Sequence, residues 1–142
     1  MAAYTQAHGQ RIKRELKEAG ATGAGLLKFS NRYLPNVIKE DEHIEAVAYG
    51  RYPIGEGSKV WRWEAGTLVA TDQRVLFVDR KPGFLRADKV PYDGVSGVES
   101  LTAWPFSSVT VMTRIGTFSL RYVRMDQADR FVRYVESRRQ QS

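Results

Sequence analysis

The chain has 142 residues, enough for one domain with some length left for a terminal arm. It contains no cysteine, which excludes a disulfide framework and thiolate metal sites, and no apolar run approaches the ~20 residues of a membrane span; with an N-terminus, MAAYTQAHGQRIKREL, that lacks a signal-peptide core, the expectation is a soluble, unexported, cytoplasmic protein. The net charge of +6 sits at the two ends, which read as helices: residues 1–40 and 101–142 each hold seven Lys/Arg against three acids, whereas 41–100 hold eight against ten.

Gln10 to Ala19 reads as a first helix, with Ile12, Leu16 and Ala19 at helical spacing and Arg11, Lys13, Arg14 and Lys17 between them. So narrow an apolar stripe must lean on something or fray. Three glycines in the segment 20–25 stop it. A second helical segment puts Leu26, Leu27, Ser30 and Leu34 on one side and ends or bends at Pro35. From Ile44 the period becomes two. A first strand reaches about Tyr52, Pro53–Gly57 reads as a turn or loop, and Lys59–Thr71 returns with β-forming residues. Asp72-Gln73 has the look of a two-residue hairpin turn before Arg74–Arg80, and Lys81-Pro-Gly83 is the next turn. Leu85–Tyr92, Val95–Ala103, Ser107–Thr113 and Thr117–Val123 complete seven strands, separated by Asp93-Gly94, Pro105 and Ile115-Gly116. That series predicts an all-β sandwich or barrel, not βαβ units.

The ending predicts a helix. Asp126 has the place of an N-cap and Asp129 that of a capping-box acid. Ala128, Phe131, Val132 and Val135 form one stripe at i, i+3, i+4 and i+7. Asp126–Arg130 and Asp129–Arg133 are spaced as ion pairs, and Arg138 and Arg139 lie where the helix dipole favours cations. Such a helix needs an apolar surface to cover, and an open barrel mouth supplies one.

The run GTLVATDQRVLFVDRK at 66–81, followed by KVPYDGVSGVE at 89–99, resembles the short bacterial pleckstrin-homology-like domains of the YokE type. The matching positions are Gly66, Leu68, Thr71 and Arg74 in the hairpin, then Val90, Pro91, Tyr92 and Val95. The leader LPNVIKEDEHIEAVAYG at 34–50 is similar to that family's entry into its first strand. The resemblance covers about residues 34–138 and implies a mainly β (α+β) fold: a partly open, seven-stranded antiparallel barrel capped by a C-terminal amphipathic helix. It divides the chain into a basic helical N-terminal arm, 1–33, and a PH-like barrel, 34–142. It implies no shared ligand, because function is grafted onto such folds site by site.

Catalytic machinery is not expected. His8, read in a frayed arm, and His43, among acids, have no spaced nucleophile or second metal ligand, the carboxylates are scattered, and no phosphate loop is present. No metal, cofactor or small-molecule substrate is therefore expected. Arg74 reads as a turn lock that pairs with a carboxylate near the barrel end, with an anion ligand as the alternative. Lys59, Arg62, Arg80, Lys81 and Arg86 flank loops that hold inositol phosphates in eukaryotic pleckstrin-homology domains. The Lys/Arg-x-Arg element of those sites is absent, which leaves weak attraction to anionic lipid at about 1 kcal/mol per basic residue. Arg11, Lys13, Arg14 and Lys17, with the C-terminal arginines, are the other anion-binding candidates.

Trp61, Trp63, Trp104 and Phe106 are candidates for a protein interface. Trp104-Pro-Phe106 is expected to tuck back onto the core or the N-terminal helix; exposed, it would suit a partner. Nucleic acid is disfavoured because aromatic residues and excess charge lie on different elements. Two readings follow: a non-catalytic module for protein contacts, self-association included, and a peripheral binder of anionic lipid or polyanion, nucleic acid among them, using the basic terminal helices.

Overall fold

The computed structural model describes residues 4–21 and 28–141; the expected helical positions Leu26 and Leu27 lie outside the described residues. Helices α1 (Gln6–Glu18) and α2 (Lys28–Tyr33) lead through a 3-10 turn at Leu34–Asn36 into β1 (Ile44–Glu56), β2 (Lys59–Thr71), β3 (Arg74–Lys81) and β4 (Phe84–Pro91). A second 3-10 turn, Tyr92–Gly94, joins β5 (Val95–Ala103), β6 (Phe106–Thr113) and β7 (Gly116–Arg124), and α3 (Met125–Gln141) closes the chain. The seven strands form one antiparallel sheet in the order β4-β3-β2-β1-β7-β6-β5, curled so that β1 meets β7 at the pair Arg51↔Arg121.

Every turn between paired strands is tight. Gly57 at φ +59° and Gly83 at φ +76° take the left-handed conformation that two of these turns demand and that side chains resist. The segment Pro53–Glu56 is strand, not loop, because β2 pairs with it through Pro53↔Trp63 and Glu56↔Lys59. Pairing of β2 with β3 begins only at Thr67↔Val78, so the end of the β1–β2 hairpin is a two-stranded ribbon.

Alternation along β1–β3 feeds two cores. On the inner face Ala48, Leu68, Val75 and Phe77 meet Val109, Val111 and Leu120, and Ala128, Phe131 and Val135 of α3 close the interior, with Val132 beside them. The outer face buries Val47, Val69, Leu76 and Val78 under Ile12 and Leu16 of α1 and Leu34, Val37 and Ile38 of the following segment. Each such side chain contributes roughly 1.5–3 kcal/mol of transfer free energy. The narrow stripe of α1 thus leans on the back of the sheet.

Four local expectations change. Thr5, not a residue near Gln10, caps α1: its Oγ1 accepts the His8 amide at 3.1 Å. His8 is buried in that helix, its Nε2 facing the carbonyls of Ile38 (2.8 Å) and Pro35 (3.2 Å). Asp126 lies inside α3 because β7 runs straight into the helix; its carboxylate accepts from Arg124 Nε at 3.1 Å, while Arg130 turns to the carbonyls of Glu45 and Glu18, both at 3.1 Å. Asp129 and Arg133 do pair. The basic excess of the last third is not confined to a helix, since Arg121 and Arg124 stand on β7.

Candidate binding surfaces

The hairpin motif builds a lock at one end of the barrel. Thr71 Oγ1 accepts the amides of Gln73 (3.1 Å) and Arg74 (3.0 Å) and donates to Glu42 Oε2 at 2.7 Å. Arg74 grips the same carboxylate with Nε (2.8 Å) and Nη2 (3.0 Å), and Nη2 also reaches the Val37 carbonyl at 2.8 Å. With the Lys39 amide at 3.1 Å, four donors fill the acceptor sites of one fully buried carboxylate. Burial pushes the Glu42 carboxyl up, but Arg74, Thr71 and the Lys39 amide outweigh it and hold it below 4.5. Arg74 is a turn lock.

The loop cations are also engaged. Lys81 Nζ meets Asp79 at 2.5 Å and Glu64 at 3.0 Å, and Arg62 Nε meets the other Glu64 oxygen at 2.7 Å. Two cations and two carboxylates leave that cluster without net charge. Arg80 Nη1 donates to the carbonyls of Lys81 (2.7 Å) and Phe84 (3.0 Å). Arg86 Nε pairs with Asp88 at 3.0 Å, and its guanidinium carbon lies 4.8 Å from the Phe77 ring centroid, 5.6 Å from Tyr52 and 5.7 Å from Phe118. Burial, and then the hydrogen bond to Asp79, push the Tyr52 phenol up. Lys59 stands exposed at the hairpin end.

On α1 the four basic residues separate. Arg11 is a strap: it donates to Glu15 (2.8 Å) and to the carbonyls of Glu42 (2.9 Å), Lys39 (3.1 Å) and Glu40 (3.2 Å). Burial raises the Glu15 carboxyl, yet His43, the Ile44 amide and Arg11 together keep it below 4.5. Arg14 Nε lies 4.0 Å from Glu18. Lys13 and Lys17 are exposed.

The aromatic candidates converge on the surface. Contrary to the tucked expectation, Trp104 is 83 % exposed and Phe106 42 %. Tyr122 connects Phe106 to β2: its ring centroid is 6.1 Å from Phe106 and 6.0 Å from Trp63, both edge-on, with Arg121 5.4 Å over Trp63. Trp61, 64 % exposed, extends the stripe along β2. Sequence reasoning passed over Tyr122 because simple alternation after Phe118 and Leu120 would send it inward. Instead the β6–β7 register shifts between Ser107 and Val109, and Tyr122 takes φ +60°. That irregularity turns Tyr122 out and restores Val123 to the core. Left-handed backbone at an aromatic residue is uncommon and strained.

A curled seven-stranded antiparallel sheet plugged by a C-terminal helix is the architecture of pleckstrin-homology-like domains, a class of generally non-catalytic binding modules. The chain belongs to the bacterial PH domain family, whose model matches residues 38–137. Among solved structures, the pleckstrin homology domain of USP37 is 14% identical, with a TM-score of 0.49 over 68% of this chain and 98% of its own. A DUF1696 family protein with a pleckstrin-homology domain from Shewanella loihica PV-4 is 16% identical, with a TM-score of 0.47 over 80% of this chain and 91% of its own. No curated protein matches the chain. Among the described residues no group of three His, Asp or Glu is placed to hold a metal ion, and no helix is long and apolar enough to cross a membrane.

Proposed function

We propose that this chain is a non-catalytic, cytoplasmic protein-contact module that associates with a second copy of itself through the Trp63–Tyr122–Phe106 face, flanked by Trp61 and Trp104. One observation carries the reading: a non-glycine residue is held at φ +60°, and its ring thereby completes an exposed aromatic cluster instead of filling the core. Strain of this kind costs about 1–3 kcal/mol and persists where the surroundings enforce it. Rings of 150–250 Å² each dominate interface energetics, and monomers rarely leave several of them together in water. A loop site for phosphorylated headgroups is less well supported, since Arg62, Arg80, Lys81 and Arg86 already have partners.

Light scattering coupled to size exclusion tests this at high micromolar concentration. The expected result is a dimer or larger species that Phe106→Ser with Tyr122→Ser reduces to monomer while the far-ultraviolet circular dichroism stays unchanged. A native chain that is strictly monomeric refutes self-association, and so does an assembly that both substitutions leave intact.

A further inference from the structure

Where charges face each other across the described ladders, Glu56 meets Lys59 and Asp79 meets Arg86, opposite in sign. The seam of the barrel departs from that rule: Arg51 of β1 stands directly opposite Arg121 of β7. Like charges so placed, with Cβ atoms about 4.5–5.5 Å apart, destabilise a sheet. Both side chains are exposed, and among the described residues neither has a carboxylate. The Arg121 guanidinium lies 5.4 Å over the Trp63 ring, and Arg51 has no hydrogen-bond or ion-pair partner.

The complement to these cations lies on the same side of the sheet. Val109, Val111 and Leu120 point into the core that α3 closes, so the alternate residues of β5–β7 point away from it. The ladders set Glu99 beside Thr110 and Thr110 beside Ser119, and the two hydroxyls bond at 3.1 Å. α1 and the Leu34–Ile38 segment roof β1–β3, which leaves this part of the face uncovered; Leu101 on it is 73% exposed. Glu99 is exposed too and, among the described residues, has no cation. Arg121 on β7 and Glu99 on β5 thus flank β6 about 10 Å apart across the strands, two strand spacings.

We infer that the second copy packs this face against its own counterpart, with a dyad running along β6. The inference rests on self-association through the aromatic face and gives that contact its geometry. A two-fold axis there lays β7 of one copy over β5 of the other. Arg121, with Arg51 beside it, comes within a side chain's length of Glu99 of the second copy, and Tyr122 covers Leu101 of the second copy. Phe106, on β6, lies near the axis and meets its own equivalent. The carboxylate accepts charge-assisted hydrogen bonds from two guanidiniums that repel each other in the lone chain. Beyond the rings the face carries the small residues Ser108, Thr110 and Ser119, which let two sheets approach to about 10 Å.

Complementary charge reversal tests the inference by light scattering coupled to size exclusion. Glu99→Arg alone, and Arg51→Glu with Arg121→Glu alone, set like charges together at both symmetric contacts, so each variant is expected to be a monomer. Mixing the two variants restores both contacts, and a heterodimer is expected, which also shows that both chains fold. The milder Glu99→Gln weakens the native dimer at least about tenfold, and so does raising salt from about 0.05 to about 0.5 M. An assembly that Phe106→Ser with Tyr122→Ser dissolves but the charge changes leave intact overturns this geometry and leaves the aromatic contact standing. A mixture that stays monomeric with native circular dichroism, or a Glu99→Gln dimer as tight as the native one, overturns it as well. A native chain that is strictly monomeric removes both readings together.

Discussion

Glu42 is the residue whose removal the structure prices most clearly. Glu42→Ala takes away a carboxylate that accepts from Arg74 Nε, Arg74 Nη2, Thr71 Oγ1 and the Lys39 amide. Deleting one member of a buried pair costs about 3–5 kcal/mol, because the other charge is left uncompensated. The lower end applies, since Arg74 keeps the Val37 carbonyl at 2.8 Å and its side chain is 17% exposed. About 3 kcal/mol is a large share of a total stability of about 5–15 kcal/mol. It lowers Tm by roughly 10 °C for a chain of this length and the urea midpoint by about 1.5 M at a slope near 2 kcal/mol/M. Arg74→Met strands the carboxylate instead and costs at least as much. Glu42→Ala combined with Arg74→Met removes both charges and costs clearly less than the sum of the two single losses. Urea unfolding followed by circular dichroism reads all variants, with unchanged slopes as the check on comparability. If either single substitution costs under about 1 kcal/mol, or the double variant is simply additive, the four-donor account of this lock is wrong.

Two further outcomes follow from close packing and from titration. At Gly50 an added Cβ would stand 2.6 Å from the Arg121 carbonyl oxygen and 2.9 Å from Leu120 Cβ, so Gly50→Ala forces β1 off β7 and costs about 1–3 kcal/mol in urea unfolding; an unchanged midpoint would mean that this seam yields freely. Glu15 and Glu42 titrate below 4.5 in the native chain, so as acid is added the unfolded chain binds protons first. Their contribution is therefore fully present above pH 4.5 and declines as pH falls through the lowered native values. Urea midpoints taken on both sides of that range check the decline, and Glu15→Gln with Glu42→Gln should flatten it.

Much of this architecture was legible because local and global signals agree. The stripe of Ala128, Phe131, Val132 and Val135 demands a buried helix wherever it lands, and two-residue turns fix which strands are neighbours. Arg74 was readable as a lock from the hairpin motif, but the Thr71 hydroxyl that accepts the Gln73 and Arg74 amides was not singled out for that bond. The carboxylate partner of Arg74 was not singled out either, since Glu40, Asp41 and Glu42 are equivalent in a sequence and only the fold selects Glu42. The partners of the loop cations were hidden in the same way. Lys81 looks available until β2 delivers Glu64 beside it, and that encounter depends on strand register over many residues. Tyr122 was hidden by a single backbone irregularity, which reverses every alternation argument downstream of it.

The family match begins at residue 38, whereas α1 ends at Glu18. Yet Val47, Val69, Leu76 and Val78 are dry only because Ile12, Leu16 and Leu34 roof them. A chain trimmed to the matched span would therefore show water an oily flank on its sheet, and solubility screens of such fragments would report on the missing roof and not on the barrel beneath it.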